Sequence, residues 1–225
     1  MKVNTVAERL QAVRLRIAAA CLRSGRSPEE VTLVAVCKGF PPEAAREAVA
    51  AGLRHLAENR VQEAQVKRAA LSDLPADVVW HMVGHLQTNK VKTALGLFDI
   101  IHSVDSLHLA EEISRRAPRQ VGVPVFLEVN VAGEAAKYGF SVQELPAACE
   151  AIARLPNLDV RGLMTVAPLV AEPEEVRPVF RRLLAIAQSL GLRELSMGMT
   201  DDFEVAVEEG ATHLRIGRAI FGERG

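Results

Sequence analysis

Cysteine is scarce in this chain. Cys21, Cys37 and Cys149 are three in number, far apart and without metal-type spacing. That excludes a disulfide framework and fits a reducing, cytoplasmic setting. Long apolar runs are missing as well: nowhere do 18 uninterrupted apolar residues occur, so no membrane-spanning helix is expected. The opening stretch Met1-Lys2-Val3-Asn4-Thr5-Val6-Ala7-Glu8 lacks the continuous apolar core of a signal peptide. Neither sign of charge dominates, with 27 basic residues against 28 acidic ones and a net charge of −1. There is accordingly no global field for nucleic acid or an anionic membrane. The basic side chains of Lys67, Arg68, Lys90 and Lys92 read as a solvated helical surface. Neither GxGxxG nor GxxxxGK[ST] occurs, which removes the usual mark of a dinucleotide-binding open sheet. Linkers rich in Ser and Gly, low complexity and internal repeats are also wanting.

What is present is an alternation. With 225 residues, 49% of them hydrophobic, the chain suits one sizeable core, a single domain over 1–225. From about Asn4 to Ser24, Val6, Leu10, Val13, Ile17 and Cys21 fall on one helical face. Eight short apolar runs follow, at Val31–Cys37, Arg54–Ala57, Val78–Val83, Asp99–Ser103, Val123–Asn130, Leu158–Met164, Glu194–Met197 and His213–Ile216. Helical patterns separate most of them: Pro42–Ala51, Arg60–Leu71, Asn89–Leu95, Ser106–Arg116, Val142–Leu155, Glu174–Leu190 and Asp202–Glu209. Strand then helix, repeated eight times, predicts an α/β (β/α)8 TIM barrel with an additional N-terminal helix.

Such barrels carry their chemistry at the C-terminal ends of the strands. Lys38 ends the first run. Burial disfavours an ammonium, so an amine there tends toward neutrality and can form a Schiff base with an aldehyde. Beyond the seventh run, Ser196-Met197-Gly198 leads into a helix; beyond the eighth, Arg215-Ile216-Gly217-Arg218 does the same. Two strand-to-helix junctions side by side offer backbone N–H groups to an anion such as phosphate. Arg215 would come near whatever Lys38 binds, or else pair with a barrel carboxylate such as Glu128. His81 and His85 are four apart, but Gly84 and the strand-like Val78-Val79-Trp80 spoil the helical geometry a metal would need, so no metal site is expected. If Lys38 points inward, its neighbour Cys37 points to the helix layer as packing.

Several ordered motifs together resemble the pyridoxal phosphate homeostasis protein family, barrels related to the N-terminal domain of alanine racemase. They are Leu33-Val34-Ala35-Val36-Cys37-Lys38, Glu58-Asn59-Arg60-Val61-Gln62-Glu63 and His81-Met82-Val83-Gly84-His85-Leu86-Gln87-Thr88-Asn89-Lys90. Further along come Val129-Asn130 with Glu134, Lys137 and Gly139, then Gly162-Leu163-Met164, Ser196-Met197-Gly198-Met199, Arg215-Ile216-Gly217 and Ile220-Phe221-Gly222. The resemblance implies that Lys38 carries pyridoxal 5′-phosphate (PLP) as a Schiff base. By the same likeness Ser196, Met197, Gly217 and Arg218 hold its phosphate, Arg215 faces its ring nitrogen, and Asn59 and Met164 line the cavity. Cys37, Gly39, Ala57, Arg60 and Ala132 depart from the residues usual in the family, and none of them removes an anchor.

Racemisation needs acid/base groups on both faces of a substrate. Alanine racemases resemble the barrel but take the second group from a tyrosine supplied through a further domain. The single tyrosine here, Tyr138, lies in the Gly133–Gly139 connection, and the chain runs only a short way past its eighth strand. The expected function is therefore a monomeric PLP-binding protein of vitamin B6 homeostasis that stores the cofactor or passes it to apo-enzymes. A weak amino-acid racemase or other PLP enzyme is the alternative, and a PLP-independent barrel acting on a phosphorylated metabolite is the third class.

Overall fold

A computed structural model describes residues 5–118, 122–134 and 136–223; the expected helix start at Asn4 and the last residue, Gly225, lie outside them. Strands β1 (Thr32–Val36), β2 (His55–Glu58), β3 (Val79–Met82), β4 (Ile100–Val104), β5 (Val123–Glu128), β6 (Leu158–Met164), β7 (Glu194–Ser196) and β8 (His213–Ile216) form a closed barrel in sequence order. Every pairing is parallel, and β8 closes on β1 with Val34 opposite Arg215. The helices are α1 (Val6–Ser24), α2 (Pro42–Ala50), α3 (Val61–Ala70), α4 (Val91–Leu95), α5 (Leu107–Arg116), α6 (Leu145–Ala153), α7 (Arg177–Ser189), α8 (Phe203–Glu208) and α9 (Arg218–Phe221).

The predicted fold class is thus the observed one, with boundaries moved by local chemistry. Pro173 and Pro178 split the expected Glu174–Leu190 helix into a 3-10 turn, Pro173–Val176, and α7. Likewise a 3-10 turn, Thr88–Lys90, precedes α4. At α1 the hydroxyl of Thr5 accepts from the Glu8 N–H while the Glu8 carboxylate accepts from the Thr5 N–H, a reciprocal cap that fixes the helix start. Gly25, with φ 68°, ends it in the left-handed conformation that suits glycine. The predicted stripe of Val6, Leu10, Val13, Ile17 and Cys21 is buried, joined by Ala20. Each such large apolar side chain contributes roughly 1.5–3 kcal/mol of burial. Arg9 donates from α1 to the carbonyls of Ile220 and Phe221, and Arg16 pairs with Glu204 at 2.7 Å, so α1 is bound to both α8 and α9.

Most of the core lies between strands and helices, where both strand faces being buried explains the continuous apolar runs. The lumen is different. On one side it holds the small cluster Val34, Val36 and Ala57. On the other stand rings that touch across non-adjacent strands: His102 of β4 stacks on Phe126 of β5 at 4.4 Å, and both meet His213 of β8. Contact between β4 and β8 is possible only through the barrel interior.

Candidate functional site

Lys38 stands on a tight turn just past β1. Phe40 N–H donates to the Cys37 carbonyl at 3.1 Å, and Gly39 has φ 73° at the third position of that turn. A left-handed residue there favours glycine, so the departure at Gly39 has a backbone reason. The Cys37 carbonyl also accepts from Lys67 Nζ at 2.6 Å, and Lys67 is ion-paired with Glu58. Cys37 Sγ donates to the same Glu58 oxygen at 3.3 Å. As expected, Cys37 points into the helix layer, where burial, then the Glu58 charge, pushes its thiol well above the usual range. Lys67 corrects the sequence reading: it is 5% exposed and paired, not part of a solvated surface. The signal was available, because Lys67 continues the i, i+3 stripe of Val61 and Ala64.

The turn opens onto a cavity of about 530 Å³ at the C-terminal end of the barrel. Lys38, Asn59, Arg215, Gly217 and Arg218 line it, together with Val36 and Val166. Gly217 allows a close approach there, since a Cβ would press on the Val36 carbonyl oxygen at 3.0 Å. Asn59 contributes a buried side-chain oxygen, Oδ1, without a hydrogen-bond partner. The remaining predicted residues are placed differently. Met164 is 1% exposed at the end of β6, and Met197 belongs to the core behind β7. Ser196 is wholly buried, and its hydroxyl serves Arg215 and His102 rather than the cavity wall.

Arg215 donates from Nη1 to Ser196 Oγ at 2.7 Å and from Nη2 to the Thr165 carbonyl at 2.8 Å. Burial brings its pKa down to about 10, opposed by the charges of Glu128 and Asp202, and it stays cationic at neutral pH. Glu128 therefore acts on Arg215 through space, while Ser196 and Thr165 accept its hydrogen bonds. Burial, then Asp105, raises Glu128 to about 7, with Arg215 pulling the other way. His81 and His85 diverge: His81 faces the lumen, whereas His85 bonds Asp105 at 2.9 Å and stacks on Tyr138 at 4.0 Å. Neither His85 nor Tyr138 lines the Lys38 cavity.

The chain is a closed parallel barrel of the alanine racemase N-terminal class: the family model described as "Alanine racemase, N-terminal domain" matches residues 9–225. The chain is 46% identical to the pyridoxal phosphate homeostasis protein of Pseudomonas aeruginosa, covering 99% of this chain and 97% of that protein. It is 47% identical to the protein of the same name from Aquifex aeolicus, over 96% and 97% of the two chains. The chain belongs to the pyridoxal phosphate homeostasis protein family. Among solved structures, PipY of Synechococcus elongatus with PLP bound superposes with a TM-score of 0.82 at 40% identity, covering 97% of this chain and all of that one. Alanine racemase of Corynebacterium glutamicum, at 20% identity and a TM-score of 0.70, shares the fold over 62% of its length.

Proposed function

We propose that this protein holds PLP in the cavity between β1 and β8 and acts in vitamin B6 homeostasis, as a cytoplasmic monomer that stores the cofactor or passes it to apo-enzymes without efficient turnover. The observation that carries this reading is the convergence of Lys38, Arg215 and the Gly217–Arg218 junction on one cavity. The residues fit the cofactor. The partnerless Asn59 oxygen is a polar group that a bound molecule would satisfy, and the Gly217 approach to Val36 leaves backbone, not side chain, at the wall. Kinship with PipY, whose structure contains PLP, supports the same cargo here.

PLP supplies an aldehyde that captures amines reversibly and a ring that withdraws electrons. Lys38 is the amine positioned for that aldehyde, anchored from behind through the Cys37 carbonyl. The opening of α9 at Gly217 and Arg218, with the backbone after Ser196 and Met197, would hold the phosphate. There Arg218 is tied to Asp201 at 2.6 Å, which keeps its guanidinium at the rim. Arg215, cationic at neutral pH and lining the cavity, would face the ring nitrogen and would disfavour its protonation, weakening the ring as an electron sink in accord with a carrier. Asn59 would complete the lining, while Met164 stays buried at the end of β6.

The test is an absorption titration of the protein with PLP beside Lys38→Ala, followed by amino-acid incubation in deuterated water. We expect a new visible band in the unsubstituted protein alone and no enzyme-scale exchange of the substrate α-proton. An equal band in Lys38→Ala would remove the lysine assignment, and rapid exchange would make the protein an enzyme.

A further inference from the structure

Four polar side chains run in single file through the barrel, from its floor to the cavity. His55 Nδ1 lies 2.9 Å from His81 Nε2, His81 Nδ1 lies 2.8 Å from His102 Nε2, and His102 Nδ1 lies 2.7 Å from Ser196 Oγ. Ser196 Oγ in turn receives Arg215 Nη1 at 2.7 Å. His81, His102 and Ser196 have no solvent exposure, and Arg215 has 5%. At the far end His55 lines a separate cavity of about 450 Å³ beside Thr32 and Arg54, at the N-terminal ends of the strands.

The direction of every hydrogen bond in this file follows from its one permanent cation. Arg215 can only donate, so Ser196 Oγ accepts from it. The Ser196 proton then needs an acceptor in a dry site, and the one within reach is His102 Nδ1. A neutral imidazole has one donor and one acceptor nitrogen, so His102 carries its proton on Nε2 and gives it to His81 Nδ1. By the same rule His81 donates from Nε2 to His55 Nδ1, leaving the His55 Nε2–H to face the floor cavity. The opposite polarity would make Ser196 accept twice and strand its own proton without a partner, at the full desolvation cost of a buried hydroxyl. Burial, and then the neighbouring imidazoles, holds His81 and His102 well below the usual histidine range, so they are neutral at physiological pH as the file requires.

We propose that His55, His81, His102 and Ser196 are positioning residues for Arg215: a one-way hydrogen-bond file that locks three imidazoles in the Nε2–H form. It gives the guanidinium a fixed acceptor below, so that its remaining N–H donors point into the Lys38 cavity. This rests on the reading of Arg215 as the group that faces the cofactor ring. It also assigns the Ser196 hydroxyl to Arg215, leaving only the backbone near Ser196 for phosphate.

Histidine-selective 15N labelling of the cofactor-free protein, read by long-range proton–nitrogen correlation at neutral pH, tests the file directly. Expected are a protonated Nε2 and a bare Nδ1 at His55, His81 and His102, with the preference at His102 lost in Ser196→Ala. An Nδ1–H form or an imidazolium at His81 or His102, or an unchanged His102 in Ser196→Ala, overturns the proposal. PLP titrations form the second arm. His102→Leu removes the Ser196 acceptor and weakens binding about tenfold. His102→Gln, whose Oε1 accepts from Ser196 while its amide donates to His81, keeps affinity within about threefold. Equal affinities of the Leu and Gln variants contradict a positioning role. The spectra need no PLP, so failure of the unsubstituted protein to bind PLP would reject the proposed function while the tautomers still decide the polarity of the file.

Discussion

The carbonyl of Cys37 ties the turn that carries Lys38 to the helix layer, and its second donor, Lys67, is the residue on which that tie depends. Removing the ammonium leaves Glu58 buried with no cation beside it, and one of its oxygens already lacks a partner. Lys67→Met should therefore cost about 3 kcal/mol in a urea titration, and adding Glu58→Leu should recover most of the loss. A Lys67→Met protein as stable as its parent would contradict this account of the turn. At this scale the sequence was legible for the position of Lys38, whose place at the end of an apolar run is unusual for a charged residue, and of Arg215: both line the cavity at the barrel mouth. It was less so for Ser196: a hydroxyl at a strand end reads as part of the mouth, and only the closed barrel shows that its partners lie inward.

Among the elements, α9 is the shortest described α-helix and opens at the Gly217–Arg218 edge of the Lys38 cavity, yet four residues cannot stabilise a helix by their own hydrogen bonds. Its last carbonyls are held by Arg9, which reaches across from α1 to Ile220 and Phe221. Arg9→Ala should lower stability by roughly 1–2 kcal/mol and weaken PLP binding severalfold, whereas Arg9→Lys should restore part of both. Unchanged PLP affinity in Arg9→Ala would mean that α9 holds its shape without α1. Strands and long helices were readable because their apolar periods differ, and α1 was readable down to its buried stripe. The details that escaped belong to prolines and short turns: Pro173 and Pro178 break the pattern of α7, and the 3-10 turn Thr88–Lys90 has no periodicity to detect.

Closing the barrel gathers histidines from four strands into one lumen, which no local pattern announces because each sits alone in its own strand. Burial lowers all four, His213 to about 4. Their folded-state values thus lie below the ordinary value near 6.5, and between the two the unfolded chain binds more protons, so stability falls as pH falls. Glu128, raised to about 7, works the other way over the same window, since the folded state binds its proton first. Burial also raises Glu194 and Asp202, which act in the same sense as Glu128; four imidazoles against three carboxyls leave a net loss of stability from about pH 6.5 to 5, at roughly 1.4 kcal/mol per pH unit for each excess proton. Urea midpoints across this range should drop with acid, and His213→Leu should flatten the slope. A midpoint that is constant or rises on acidification would show that the lumen histidines are not held neutral.

Six lysines, Lys2, Lys38, Lys67, Lys90, Lys92 and Lys137, could bond to the aldehyde, and the barrel geometry singles out Lys38. Borohydride reduction of the PLP-saturated protein, followed by peptide mass mapping, reads which of them has bonded to the aldehyde. One pyridoxyl adduct per chain is expected, on the peptide containing Lys38. An adduct spread over Lys90, Lys92 and Lys137, or none on Lys38, would contradict it.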